Sequence, residues 1–90
     1  MDMWIVASYM KGGQKWLLGV RPYLTADDGW FFAVFERPYW AVHWRTTGLN
    51  GYSTDVDALS DVEVVFGSEP GFELTESAKK VIESNRATHK

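Results

Sequence analysis

The run Trp30-Phe31-Phe32-Ala33-Val34-Phe35-Glu36-Arg37-Pro38-Tyr39-Trp40-Ala41-Val42-His43-Trp44-Arg45-Thr46-Thr47 decides how this chain folds. Aromatic and β-branched residues dominate it, which favours strands over helices. Side chains along a strand point alternately to opposite faces. Residues 30–36 therefore form a strand that is apolar on both sides, Trp30, Phe32 and Val34 against Phe31, Ala33 and Phe35, and such a strand belongs inside a sheet. Pro38 fixes its own backbone and restricts Arg37, so the strand stops there. Residues 39–47 read as the next strand, with Trp40, Val42 and Trp44 on one face and Tyr39, Ala41, His43 and Arg45 on the other.

The same grammar extends upstream. Residues 3–11 and 15–24 read as two strands around Gly12-Gly13, whose freedom to take positive φ suits a two-residue hairpin. In the second strand Trp16, Leu18 and Val20 oppose Leu17, Gly19, Arg21 and Tyr23. Thr25 to Gly29, with Asp27 and Asp28, is a loop. Downstream, Gly48 to Tyr52 is a loop, and Ser53 or Thr54 caps a short helical turn reaching Ser60. Residues 62–66 alternate well enough for a fifth strand, closed by Gly67 to Gly71. Thr75 is the N-cap of a helix over residues 75–87, with an apolar stripe of Ala78, Val81 and Ile82 led in by Leu74. Arg-Pro-Tyr occurs at 21–23 and 37–39, but a 16-residue offset is shorter than the roughly 20–50 of stacked repeats. The expected fold is α+β: one small domain over residues 1–90, a four- to five-stranded, mainly antiparallel twisted sheet, open or partly closed into a barrel, with a C-terminal helix.

Composition bounds the function classes. The chain has 90 residues, 46% of them hydrophobic, and no cysteine. That length supports one core. Without cysteine there are no disulfides, thiolate metal sites or cysteine nucleophiles. No apolar run exceeds about five residues, against roughly 18 for a membrane span, so no membrane partner is expected and the cytoplasm is the default compartment. Fourteen residues are aromatic, five of them tryptophan, and seven fall between Trp30 and Trp44. One thin helix cannot cover so much apolar sheet. Closure into a barrel, a homodimer or a foreign protein must cover the rest.

Charge is segregated along the chain. The net charge is −3, yet residues 46–78 contain Asp55, Asp57, Asp61, Glu63, Glu69, Glu73 and Glu76 and no lysine or arginine. A one-signed segment creates a local field that can steer a basic partner.

No motif carries chemistry. Asp55, Asp57, Asp61 and Glu63 resemble a calcium loop only superficially, because Leu59, Ser60 and Phe66 occupy positions that need a ligand, a glycine and a glutamate. His43 has no evident acid–base partner, and no metal-ligand spacing links it to His89. There is no nucleophile elbow or phosphate-cradling loop. No enzyme activity, metal or cofactor is expected.

These features point to a non-enzymatic protein-binding module, of the inhibitor or immunity type, that blocks a basic partner such as a nucleic-acid-processing enzyme. Asp55, Asp57, Asp61 and Glu63 would form its acidic contacts, and Tyr23, Tyr39, His43 and Arg45 an aromatic and polar rim. Two alternatives stay open. One is a ligand-binding or catalytic pocket lined by Trp30, Trp40, Trp44 and His43. The other is single-stranded nucleic acid binding on a face shared by Arg21, Tyr23, Tyr39, His43 and Arg45, which the acidic total disfavours.

Overall fold

A computed structural model describes residues 3–27 and 29–88; the expectations placed on Asp28 and His89 lie outside the described residues. The elements in chain order are β1 (Trp4–Lys11), β2 (Gln14–Thr25), β3 (Gly29–Pro38), β4 (Arg45–Tyr52), α1 (Asp55–Phe66), β5 (Glu73–Leu74) and α2 (Glu76–Thr88). The five strands form one antiparallel sheet in the order β4-β3-β2-β1-β5, open at both edges. The sheet is not a barrel, and the α+β expectation holds in its open form.

The β1–β2 hairpin turns at Gly12 and Gly13, whose φ values of 60° and 79° are those of a tight turn matched to strand twist. β2 and β3 pair from Trp16↔Pro38 to Thr25↔Gly29, and this long hairpin is the frame of the molecule. β1 carries an irregularity between Ile5 and Ala7. The extra residue there, Val6, lets two successive side chains, Val6 and Ala7, both reach the core.

Both helices cover the same sheet face. Val6, Tyr9, Trp16, Leu18, Val20 and Val34 pack against Ala58, Leu59 and Val62 of α1 and Ala78 and Ile82 of α2. Thr54 caps α1 by accepting from the Asp57 amide at 3.0 Å. Thr75 starts α2, its carbonyl accepting from the Lys79 amide at 2.9 Å while its hydroxyl donates to the Ile5 carbonyl at 3.0 Å. That second bond ties the helix start to β1.

Three expected elements are corrected, the first being Gly48 to Tyr52, which is not a loop but the greater part of β4. Residues 39–44 are not a strand. The Arg37 guanidinium donates through Nη1 to the carbonyls of Pro38, Tyr39 and Ala41, and the Ala41 amide bonds to the Pro38 carbonyl at 3.0 Å. This folds the chain into an irregular loop, and β4 starts at Arg45 instead. Residues 62–66 are not a strand either, but the last turns of α1. Ala58, Val62 and Phe66 recur every four residues with Leu59 beside them, which makes one inward stripe of a helix. Val64 and Val65 then face outward. The core therefore has two helices over it where one was expected.

Candidate functional site

The surface left without a covering layer is the other side of the sheet. Strand alternation and register place Met3, Ile5, Ser8 and Met10, Lys15, Leu17, Gly19, Arg21 and Tyr23, and Phe31, Ala33, Phe35 and Arg37 on it, with Thr46 and Asn50 from β4 and Glu73 from β5. Its aromatic rings, Tyr23, Phe31, Phe35 and the Trp44 ring laid on it, are half-buried, and arginines lie on two of them. The Arg21 guanidinium sits 4.7 Å from the Phe35 ring centre, and that of Arg37 sits 4.8 Å from Trp44. Such contacts shield ring faces while keeping a charge at the surface.

Trp44 reaches this face because β2 has a glycine beneath it. A Cβ at Gly19 would collide with the Met3 side chain and come within 3.2 Å of the Trp44 ring. A glycine inside a strand often marks such a close approach, and this was the one readable signal for the Trp44 seat. Arg37 completes it, stacking on Trp44 while its Nη1 gathers three carbonyls of the loop. At the far end Trp40 donates from Nε1 to Gln14 at 2.7 Å, and the Tyr39 amide bonds to the Lys15 carbonyl at 3.0 Å. The loop is thus tied at several points, yet Tyr39, Trp40 and Val42 are 59%, 64% and 81% exposed.

Toward the opposite end of the sheet face lies a shallow depression of about 340 Å³, lined by Tyr23, Ala33, Phe35, Thr46 and Asn50. Ala33 makes the room, since it sits between Phe31 and Phe35 on the same face. The expected pocket of Trp30, Trp40, Trp44 and His43 is not this one. Trp30 stands at the β2–β3 turn end, opposite Leu24, and the other three belong to the 39–44 loop.

The remaining expected site residues separate. Tyr39 and His43 share the loop, and Tyr23 shares the uncovered face with Arg21. Arg45 faces the other way: it pairs with Glu36, whose carboxylate accepts from Tyr9, and its guanidinium lies 5.0 Å from Trp16, with Lys11 on the same ring at 4.5 Å. The acidic residues do not make one surface. At about 100° per helical residue, Asp57 and Asp61 project within about 40° of each other, and Asp55 and Glu63 lie on the opposite side of α1. Asp61 also accepts from the Tyr52 hydroxyl at 2.6 Å, and Glu63 approaches Arg86 at 3.9 Å. Burial and the hydrogen bond to Asp61 push the Tyr52 phenol up to about 12. Burial likewise raises the Tyr9 phenol, with its bond to Glu36 adding to the effect.

Among the described residues, no three histidines, aspartates or glutamates gather as metal ligands, and no helix is long and apolar enough to cross a membrane. Comparison of the chain with protein families, with curated proteins and with solved structures finds no match.

Proposed function

We propose that the chain is a non-enzymatic protein-binding module whose anchor is the 39–44 loop. One observation carries this reading: large apolar side chains stand in solvent on a backbone that Arg37, Trp44 and Gln14 hold fixed. Exposed aromatic and aliphatic groups favour association by area alone. Affinity rises further when the displaying loop loses little freedom on binding, because that ordering cost is already met. Trp40 is the expected hot spot, with Tyr39 and Val42 beside it.

The partner's chemistry follows from the rim. The acidic segment taken alone implies a basic partner, but its carboxylates lie on α1 and beyond. Beside the anchors stand Lys15 and Arg37, with His43 in the loop itself. The partner is therefore a protein with an apolar pocket ringed by carboxylates.

A photo-crosslinking amino acid at Trp40 or Val42, in cells that produce the chain, tests this. A discrete heteromeric adduct is expected at both positions, and none at Val64, which is 78% exposed on α1. Adducts of equal yield at all three sites, or adducts only between two copies of the chain, overturn the reading. With a captured partner in hand, Trp40→Ala should cost at least about 2 kcal/mol of binding.

A further inference from the structure

The distribution of charge between the two layers has a second consequence, for the sheet face that adjoins the 39–44 loop. The helical layer carries Asp55, Asp57, Asp61, Glu63, Glu76 and Glu83 against Lys79, Lys80 and Arg86, an acidic excess, and Glu36 points into the covered side, where it accepts from Tyr9. The uncovered sheet face carries Lys15, Arg21 and Arg37, and its single carboxylate among the described residues is Glu73, on the far edge strand. A chain of net charge −3 thus presents one locally cationic face.

That face also carries a row of aromatic rings. Tyr23 and Phe31 are directly opposed across β2 and β3, Phe35 lies under the Arg21 guanidinium, and Trp44 lies over Gly19 under that of Arg37. The depression between Tyr23, Phe35, Thr46 and Asn50 brings phenol, hydroxyl and amide groups to its rim. From Lys15 to Arg21 is six residues along β2, about 20 Å at the strand rise. This is a track of cations, with the rings of Tyr23 and Phe31 and hydrogen-bonding groups at its Arg21 end.

We infer that this face binds single-stranded nucleic acid along β2, phosphates on Lys15, Arg21 and the rim of Arg37, with bases stacked on Tyr23 and Phe31. The features select this occupant on physical grounds. A duplex buries its bases and is entered by protruding helices or ribbons, whereas these rings lie on the face of a sheet. An acidic protein surface would also satisfy the cations, and it is the competing occupant that the test separates. Splayed bases satisfy both the cations and the rings, because every base has a π-face to stack and every nucleotide a phosphate.

The test is fluorescence anisotropy with labelled twelve-residue oligo-dT and oligo-rU at 20 to 200 mM salt. Neutralising about three phosphates predicts a slope of log affinity on log salt near −2. Arg21→Gln should weaken binding about five- to tenfold and make the slope shallower by about 0.7, the share of one phosphate. Tyr23→Leu, which removes a ring and keeps bulk, should weaken binding at least about fivefold by loss of base stacking, with the slope unchanged. Lys15→Gln, at an exposed position, shallows the slope without touching any packing and serves if Tyr23→Leu unfolds. Val64→Gln on α1 leaves affinity within twofold. Absence of binding at the lowest salt overturns the inference, as does binding that survives the Arg21 and Lys15 changes. Equal displacement by polyglutamate also overturns it, since the face would then read charge alone and an acidic protein would be the better occupant.

Discussion

The two faces of this sheet come from the same strands and meet opposite fates. On the covered face Val6, Leu18 and Val34 are fully enclosed by aliphatic side chains from two helices. Polar groups enter in two pairs, Tyr9 with Glu36 and Tyr52 with Asp61, and as the Trp16 indole N–H, which is buried without a hydrogen-bond partner. On the uncovered face aromatic rings of comparable bulk are half-shielded by guanidinium groups and one folded loop. The first arrangement removes apolar area from water completely and gives stability. The second leaves area and charge at the surface, which is how a fold retains a binding surface without exposing a continuous greasy patch. On the proposed readings stability and recognition are divided by face, and substitutions should divide the same way.

The largest effect comes from breaking the covered face. Leu18→Ala deletes a fully buried side chain between β2 and the helices, where two layers constrain collapse. It should destabilise the protein by about 2–5 kcal/mol. Its sequence neighbour Leu17 points to the uncovered face, and Leu17→Ala should cost about 1 kcal/mol or less. Urea unfolding of the two variants measures the contrast directly. Equal losses would mean that the uncovered face is a second core rather than a surface.

The next effect is local. Arg37→Met keeps an extended apolar stem near Trp44 but removes every donor to the Pro38, Tyr39 and Ala41 carbonyls. We expect a loss of about 1–3 kcal/mol, from carbonyls left without their charged partner. Hydrogen exchange should accelerate at the Ala41 and Tyr39 amides while the β2–β3 ladder keeps its protection. Uniform acceleration across the sheet would show that the loop is part of the global fold, and unchanged exchange would remove Arg37 as its organiser. Either result bears on the anchor reading, which depends on a loop that is rigid and yet separable from the core.

How far this division could be read in the sequence depends on which forces set each region. Residues 3–36 were legible because strand alternation, the Gly12-Gly13 turn and the loop before Trp30 are local signals that the tertiary structure does not contradict. Thr54 and Thr75 were legible as caps for the same reason. Residues 39–44 were not, because Trp40, Val42 and Trp44 alternate as a strand would, while what bends the chain is the tertiary grip of a single guanidinium. Residues 62–66 failed differently. Val62, Val64 and Phe66 fit a period of two, but Val62 and Phe66 also fit a helical stripe with Ala58, and only the sheet beneath chooses between them. The candidate site inherits these errors. Arg21 and Tyr23 were placed together correctly because β2 is regular, whereas Arg45 was put on their face by a register that the loop resets. The acidic residues were grouped by sequence distance, which a helix converts into opposite directions.

The smallest expected effect lies at the margin between the faces, where the covered side admits its paired polar groups. The Tyr52 hydroxyl donates to Asp61 at 2.6 Å, and its phenol is pushed up to about 12. The folded state therefore holds this proton more tightly than the unfolded chain, whose tyrosines ionise near 10. The resulting stabilisation is fully present below about pH 10 and is lost as pH rises from there through about 12, where a phenolate would face a carboxylate. Tyr9, raised in the same direction beside Glu36, adds to the alkaline loss. Tyr52→Phe should lower stability at pH 7 by about 1 kcal/mol through the lost hydrogen bond. It should also make the fall in melting temperature between pH 10 and pH 12 shallower than in the parent, without abolishing it, because Tyr9 still titrates against its own carboxylate. Subtracting the two pH profiles cancels lysine ionisation and the other tyrosines, so the difference reports Tyr52 alone. Parallel profiles would mean that the pair opens to water before the phenol ionises. The margin would then belong energetically to the uncovered side, and the boundary between the two faces would run through α1 rather than beside it.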